Sequence, residues 1–283
     1  MLLSTHAMRI LFLGNNYSSL SIACLLTLVS AGRYSLLVAL SDAIEGGVIS
    51  TVYRLRRRYG LGGLLYKGRS LVLALVRRGA RSVGIPSRGY RSLREIIDDV
   101  HLEQVQCASI NAPETLEQIR SFKPDLIVSA SYGQILRSGV LQIPSKGSIN
   151  VHPSLLPRYR GPSPCYWAVK HREATTGVTV HFMNERIDAG DILLQEEVSI
   201  RPGESSRALE RRLSPIGAEL MLESIREVEK GTVESVKQDE GRASYFSFPK
   251  SSRHMGGTGS LSIGVVADCY DLLIAKHVND FMF

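Results

Sequence analysis

An α/β protein built on a doubly wound, mostly parallel sheet is what this sequence predicts, and three observations predict it. Short apolar runs alternate with stretches of helical periodicity, from Arg9–Gly14 to a long segment at Ser205–Lys230; that alternation marks a sheet covered by helices. The run Lys123–Ala130 is apolar after its first three residues except at Ser129, as suits a buried strand. A strand pattern at 148–152 stops at a prolyl turn formed by Pro153 and Pro157. Asn150 and His152, two apart, leave the end of that strand on one face. Open α/β sheets bind ligands at the carboxyl ends of their strands.

The elements follow in order. Arg9–Gly14 is the first strand and Ile22–Val29 the first helix, a Rossmann-like start. It is not a dinucleotide fingerprint, because Gly14 lacks the two further glycines of that motif. Gly14, Asn15 and Asn16 have two readings here: backbone N–H donors for an acceptor phosphate, or a tight turn at Gly14. Tyr34–Leu40 is the second strand. Ser92–Val100 reads as a short helix, Gln104–Ser109 as a weak strand and Pro113–Ser121 as a helix. Val178–Met183 is a further apolar strand. In Ser205–Lys230, Leu209, Leu213, Ile216, Leu220, Leu222 and Ile225 recur at helical spacing. Pro215 is expected to kink or split that helix, and Gly231 to end it.

The chain has 283 residues, enough for a full core, with 44% apolar and 22% charged residues. Its cysteines, Cys24, Cys107, Cys165 and Cys269, are scattered and form no C-x-x-C pair. That pattern argues against a disulfide framework or a cysteine zinc site and fits a reducing, cytoplasmic setting. No uninterrupted apolar run reaches 18 residues, so no membrane span is expected, and the first residues do not read as a secretory signal. The net charge of +7 is concentrated. Thr51–Arg81 holds nine basic residues, among them Arg54, Arg56, Arg57 and Arg58, and no acid, which leaves the rest of the chain slightly acidic. Residues 43–85 read as a basic insertion with a helical stretch at Leu64–Val76. A solvated face and an anionic partner are both open for it.

The polar residues at the 148–152 strand carry the chemistry. Ser148–Gly161 reads SINVHPSLLPRYRG, and Asp188 follows His152 by 36 positions, in the loop after the 178–183 strand. With Thr176-Gly-Val-Thr179, these motifs resemble the formyltransferases that use 10-formyltetrahydrofolate, in the branch of the methionyl-tRNA and sugar-nucleotide N-formyltransferases. The likeness spans roughly residues 8–42 and 100–250. It implies a catalytic trio of Asn150, His152 and Asp188. It implies a folate site formed by Gly133, Gln134, Ile135 and Leu136, and by Asn184, Glu185, Arg186 and Ile187 in the Asp188 loop. Arg137 departs from the proline frequent at its position in the family. The implied fold is the formyltransferase version of the doubly wound sheet. Residues 8–230 would be the catalytic domain and 231–283 a C-terminal extension, of which Gln238–Pro249 resembles the family's tail.

The trio suits formyl transfer. An amine attacking the formyl carbon creates a tetrahedral oxyanion, which needs donors placed in advance. Asn150 offers an amide N–H. His152 offers a charged N–H if a carboxylate holds it protonated above its ordinary pKa of ~6.5. Asp188 is that carboxylate and can relay a proton through water; Asp191 is the rival carboxylate, with a turn-capping reading of its own. His181 reads as a strand residue and His171 as an exposed one. Arg158 and Arg160 have two readings, contacts to an anionic acceptor or solvated loop charges. No metal is required. The expected co-substrate is 10-formyltetrahydrofolate. The expected acceptor is a small-molecule amine, first an amino sugar on a nucleotide, because too few residues follow Pro249 for the further domain of the tRNA enzymes. A charged tRNA is the alternative. Hydrolysis of the formyl donor and a non-enzymatic basic surface-binding role stand behind them. A homodimer is among the expected assemblies.

Overall fold

The computed structural model describes residues 7–41, 92–105 and 108–249. The basic insertion at 43–85, its helix at 64–76 and residues 251–283 therefore lie outside the described residues, as do Cys107 and Cys269.

Among the described residues, seven strands form one sheet. They are β1 (Arg9–Gly14), β2 (Ser35–Leu40), β3 (Glu103–Val105), β4 (Leu126–Ala130), β5 (Ser148–His152), β6 (Thr175–Phe182) and β7 (Ile192–Ser199), in the order β3-β2-β1-β4-β5-β6-β7. The first five in that order are mutually parallel, and β6 and β7 add an antiparallel hairpin at one edge. The mostly parallel, doubly wound expectation is thereby met. The order reverses between β1 and β4, the kind of switch point beside which such sheets bind ligands.

Helices cover both faces. On one face lie α1 (Ser19–Ala31), α2 (Leu93–Asp99) and the long α6 (Ser206–Lys230), packed over Ile10, Phe12, Val38, Val128, Ile149 and Val151. The opposite face holds Leu11, Leu13, Ile127 and Leu136, covered from α3 (Pro113–Phe122) and α4 (Ser138–Leu141) by Ile119 and Val140. A last helix, α5 (Pro164–Lys170), follows the prolyl turn. Alternation along β5 puts Ile149 and Val151 under α6 and turns Asn150 and His152 to the other side.

Local chemistry explains the helix ends. Ser18 caps α1 by accepting from the Ser21 N–H, and Ser92 forms a reciprocal capping box with Glu95 on α2. Ser205 caps α6, which ends in the left-handed Gly231. Pro215 does not split α6, which runs unbroken for 25 residues. A proline inside a helix has no N–H for the ladder, a cost of about 3 kcal/mol. Burial of Leu209, Leu213, Ala218, Met221, Ile225 and Val228 outweighs it. The buried seam therefore runs through Ala218 and Met221, with Ile216 and Leu220 only partly covered.

Four elements among the described residues escape the sequence expectation: α4, α5, β7 and a short 3-10 turn at Glu240–Arg242. The weak strand at 104–109 shrinks to Glu103–Val105 at the sheet edge, and part of it falls outside the described residues. Strand β6 begins three residues earlier than its apolar run, at Thr175. Gly14 resolves as a packing position. An added Cβ would meet the Leu93 side chain at 2.6 Å and Phe12 at 2.9 Å. The Asn15 N–H is bonded to Ser21 Oγ at 3.0 Å, and Asn16 is buried, its side-chain carbonyl accepting from the Arg94 N–H at 2.9 Å.

Candidate functional site

His152 is the last residue of β5 and is 5% exposed. Its Nε2 lies 2.9 Å from the Tyr159 carbonyl, which can only accept, so Nε2 carries a hydrogen. The other ring nitrogen, Nδ1, faces Asp188 Oδ2 at 3.7 Å. Asp188 arrives from the loop between β6 and β7 in a left-handed conformation, φ 50°. Its Oδ2 also accepts from the Gly161 N–H at 2.8 Å. Asn150 sits two residues before His152 on the same face, with Nδ2 3.5 Å from Asp188 Oδ1. The three expected catalytic side chains are thus brought together from β5 and the loop after β6. Asp188, and not Asp191, is the carboxylate that faces the imidazole.

The structure adds His181, which the sequence reading left as a strand residue. It stands directly opposite Asn150 in the antiparallel β5–β6 pair, so both side chains point to one face. His181 Nδ1 donates to the Phe182 carbonyl at 2.7 Å, which leaves Nε2 bare in the neutral ring. That bare nitrogen accepts from Asn150 Nδ2 at 3.2 Å and lies 3.7 Å from Asp188 Oδ1. The orientation of the Asn150 amide is therefore dictated: its N–H bonds face His181 and Asp188. The signal for His181 is its place on β6 opposite Asn150, visible only once β6 is paired antiparallel to β5.

Burial pushes the His181 ring down from its ordinary value to about 4; Asp188 opposes that shift and His152 adds to it. The unfolded ring titrates near ~6.5, so between these values the unfolded chain binds the extra proton. The contribution is fully present above pH ~6.5 and is lost as pH falls toward ~4, on the order of 3 kcal/mol across the window. Urea unfolding at pH ~7 and pH ~4.5 is expected to show that loss in the parent and a smaller one in His181→Gln. Equal losses in both proteins contradict the assignment.

The expected folate loops lie on the same side of the sheet, where Leu136 and Met183 pack on one apolar cluster. Their polar groups are partly committed. The Gly133 N–H donates to Ser41 Oγ at 2.9 Å, Gln134 Oε1 accepts from the Ile110 N–H at 2.8 Å, and the Ile135 carbonyl accepts from Asn111 Nδ2 at 2.8 Å. Leu136 is buried, whereas the Ile135 side chain is 63% exposed. Asn184, Glu185, Arg186 and Ile187 are all exposed. Asn184 Oδ1 accepts from the Arg186 N–H, and Arg186 pairs with Glu240 at 2.8 Å.

Both loop arginines are engaged by carboxylates, Arg158 at the surface and Arg160 in the interior. Arg158 pairs with Glu173, which also accepts from the Tyr159 hydroxyl at 2.6 Å. Arg160 is 6% exposed and binds Gln238 and Glu240. Arg160 and Arg186 together hold the Glu240 carboxyl down to about 2. Buried Thr179 ties the prolyl turn to β6, donating to the Ser154 carbonyl at 2.7 Å and accepting from the Leu156 N–H at 3.2 Å. Gln195 on β7 bonds both Thr179 Oγ1 and the Leu156 carbonyl. Among the described residues, no group of three or more His, Cys, Asp or Glu side chains could hold a metal ion, and no helix is long and apolar enough to cross a membrane.

Comparison with known proteins gives this geometry a context. The family model described as formyl transferase matches residues 77–225. Methionyl-tRNA formyltransferase of Thermotoga maritima is 45% identical over 141 residues, covering 50% of this chain and 45% of the relative. The enzyme of the same name from Thermotoga neapolitana is 39% identical over 182 residues, covering 60% and 58%. The chain thus spans about half the length of the curated relatives it matches. The N-formyltransferase from Helicobacter canadensis, solved with folinic acid and dTDP-3-aminofucose, superposes with a TM-score of 0.58 at 16% identity, covering 96% of this chain and 82% of that one. Glycinamide ribonucleotide transformylase 1 from Symbiobacterium toebii superposes at 0.56 and 20% identity, covering 83% and 96%. At such identities the superpositions speak for the fold alone.

Proposed function

Because the chain belongs to the formyl transferase family, we propose that it moves a formyl group from 10-formyltetrahydrofolate onto a primary amine. The observation that carries this reading is the convergence of Asn150, His152 and Asp188 at the end of β5, each within 3.7 Å of another member of the trio.

Each residue then has a task. Asn150 Nδ2 turns one N–H from the long 3.5 Å contact with Asp188 onto the oxyanion that forms as the amine attacks. His152 keeps Nε2–H on the Tyr159 carbonyl, which fixes the ring, and uses Nδ1. Protonated there, the ring places a positive charge and a second donor between Asp188 and the reacting carbon. Asp188 stabilises that charge and accepts the proton lost by the amine, directly or through water, for return to the departing nitrogen. His181, neutral at pH ~7 with its pKa near 4, keeps the Asn150 amide turned toward the site. Ile135 and Ile187, exposed on the two expected folate loops, offer apolar surface suited to a pterin ring.

For the acceptor, sequence likeness favours the α-amine of methionyl-tRNA. The relatives that carry that name share 37–48% identity with this chain over the matched region. An amino sugar on a nucleotide is the second reading, supported by the Arg-Tyr-Arg-Gly-Pro turn, which resembles the tRNA and sugar branches alike. The test offers the protein formyl-labelled 10-formyltetrahydrofolate with methionyl-tRNA in one reaction and dTDP-3-aminofucose in another. Label on the methionyl amine is expected. Label on the sugar alone moves the assignment to the second reading, and label on neither contradicts the proposed activity.

A further inference from the structure

We propose that Gln238 is a positioning residue that holds Asp188 in its working place; this rests on the formyl-transfer reading above and adds to the trio. Gln238 lies beyond α6, in the stretch that the sequence reading assigned to an extension outside the catalytic domain. It is 9% exposed, and its amide is fully used. Nε2 donates to the carbonyls of Asp188 at 2.9 Å and Gly190 at 2.7 Å. Oε1 accepts from Arg160 Nε at 3.0 Å and Nη2 at 2.8 Å.

One side chain therefore joins two loops that face each other. The first carries Asp188, whose backbone is left-handed, φ 50°. The second is the turn after β5. There Arg160 is followed by Gly161, whose N–H binds Asp188 Oδ2 at 2.8 Å. Glu240 pins the far side of the Arg160 guanidinium at 3.1 Å. Backbone pairing fixes the same stretch to the turn: Arg160 N–H donates to the Ser244 carbonyl and Phe246 N–H to the Arg160 carbonyl.

The chemistry of the clamp distinguishes it from filling space. Two carbonyls need two N–H donors and a guanidinium needs an acceptor, and a glutamine amide supplies both. Glutamate would keep the Arg160 contact, strengthened by charge, and lose both donations to the Asp188 loop. Methionine would lose everything but volume. If Gln238 served only to anchor Arg160, Gln238→Glu would behave like the parent.

The test uses the full chain as parent, Gln238→Glu and Gln238→Met, read two ways. Amide hydrogen exchange at Gly161 reports the N–H that binds the Asp188 carboxylate, with Val128 and Val151 as references in the core. Steady-state transfer from 10-formyltetrahydrofolate to the acceptor that the parent uses reports kcat and KM. In Gln238→Glu, Gly161 protection is expected to fall at least ~10-fold while the core amides keep theirs. The same variant should lose ~10–100-fold in kcat, with a smaller change in KM for the folate, because the Gln238 amide bonds the loop at Asp188 and Gly190, beyond the expected folate residues 184–187. Gln238→Met should show the same split, which guards against a glutamate-specific effect. Unchanged Gly161 protection in both variants overturns the proposal, and so does lost protection with parental kcat. A parent that transfers no formyl group removes the activity assignment instead, and Gly161 exchange then decides alone whether Gln238 places the carboxylate.

Discussion

Replacing His152 with alanine is expected to lower formyl transfer by about two to three orders of magnitude, the loss of roughly 3–4 kcal/mol that follows removal of one oxyanion donor. The reason lies in the ring's placement. Nε2 is spent on the Tyr159 carbonyl, so Nδ1, 3.7 Å from Asp188, is the nitrogen that acts. Truncation removes that donor. Affinity for the folate should stay near the parental value, because the expected folate contacts come from the loops at 133–136 and 184–187. Some stability is lost as well, about 1–2 kcal/mol, since the buried Tyr159 carbonyl is left without its donor. Steady-state transfer and folate titration by fluorescence measure the two quantities separately. A near-parental rate contradicts the role given to His152.

Gly190→Ala is expected to have the largest effect on the fold at the site. A Cβ at Gly190 would stand 1.9 Å from the Phe182 carbonyl oxygen and 2.7 Å from its carbon, both backbone atoms that cannot rotate away. That same oxygen holds the His181 ring, and the Phe182 N–H binds the Asp191 carbonyl. Relief of the clash must move either the end of β6 or the Asp188 loop. The expected cost is about 3 kcal/mol or more, with transfer lost in step. Gly139→Ala is the control. Its Cβ would meet only Leu116, at 3.6 Å, inside α4, so stability should change by less than about 1 kcal/mol. Chemical denaturation of both variants checks the contrast. Similar midpoints for the two would refute the packing argument.

The sheet was legible where burial leaves a continuous apolar run. Strands β1, β2 and β4 are such runs, and their glycine, helical or prolyl surroundings marked their ends. Strand β7 was not, because an edge strand exposes Gln195, Glu196 and Glu197 and so lacks the signal that burial writes. The antiparallel pairing of β6 with β5, which no local pattern announces, is the reason His181 faces Asn150. Asn150, His152 and Asp188 were legible because strand spacing placed the first two together and a family resemblance supplied the third. Gln238 and Gln195 were not, since a lone amide carries no periodicity. Their roles arise from contacts 78 and 16 positions away along the chain. At Pro215 the expected split does not occur: the helix runs on for 25 residues over its buried face.

The central claim is that three side chains meet around one transferable carbon. A crystal structure of the protein with 5-formyltetrahydrofolate tests it most directly. The predicted result seats the pterin against Ile135 and Leu136 and brings the one-carbon end within hydrogen-bond reach of Asn150 Nδ2 and His152 Nδ1. A folate bound away from the end of β5, or seated there with its one-carbon end beyond reach of both, would contradict the account.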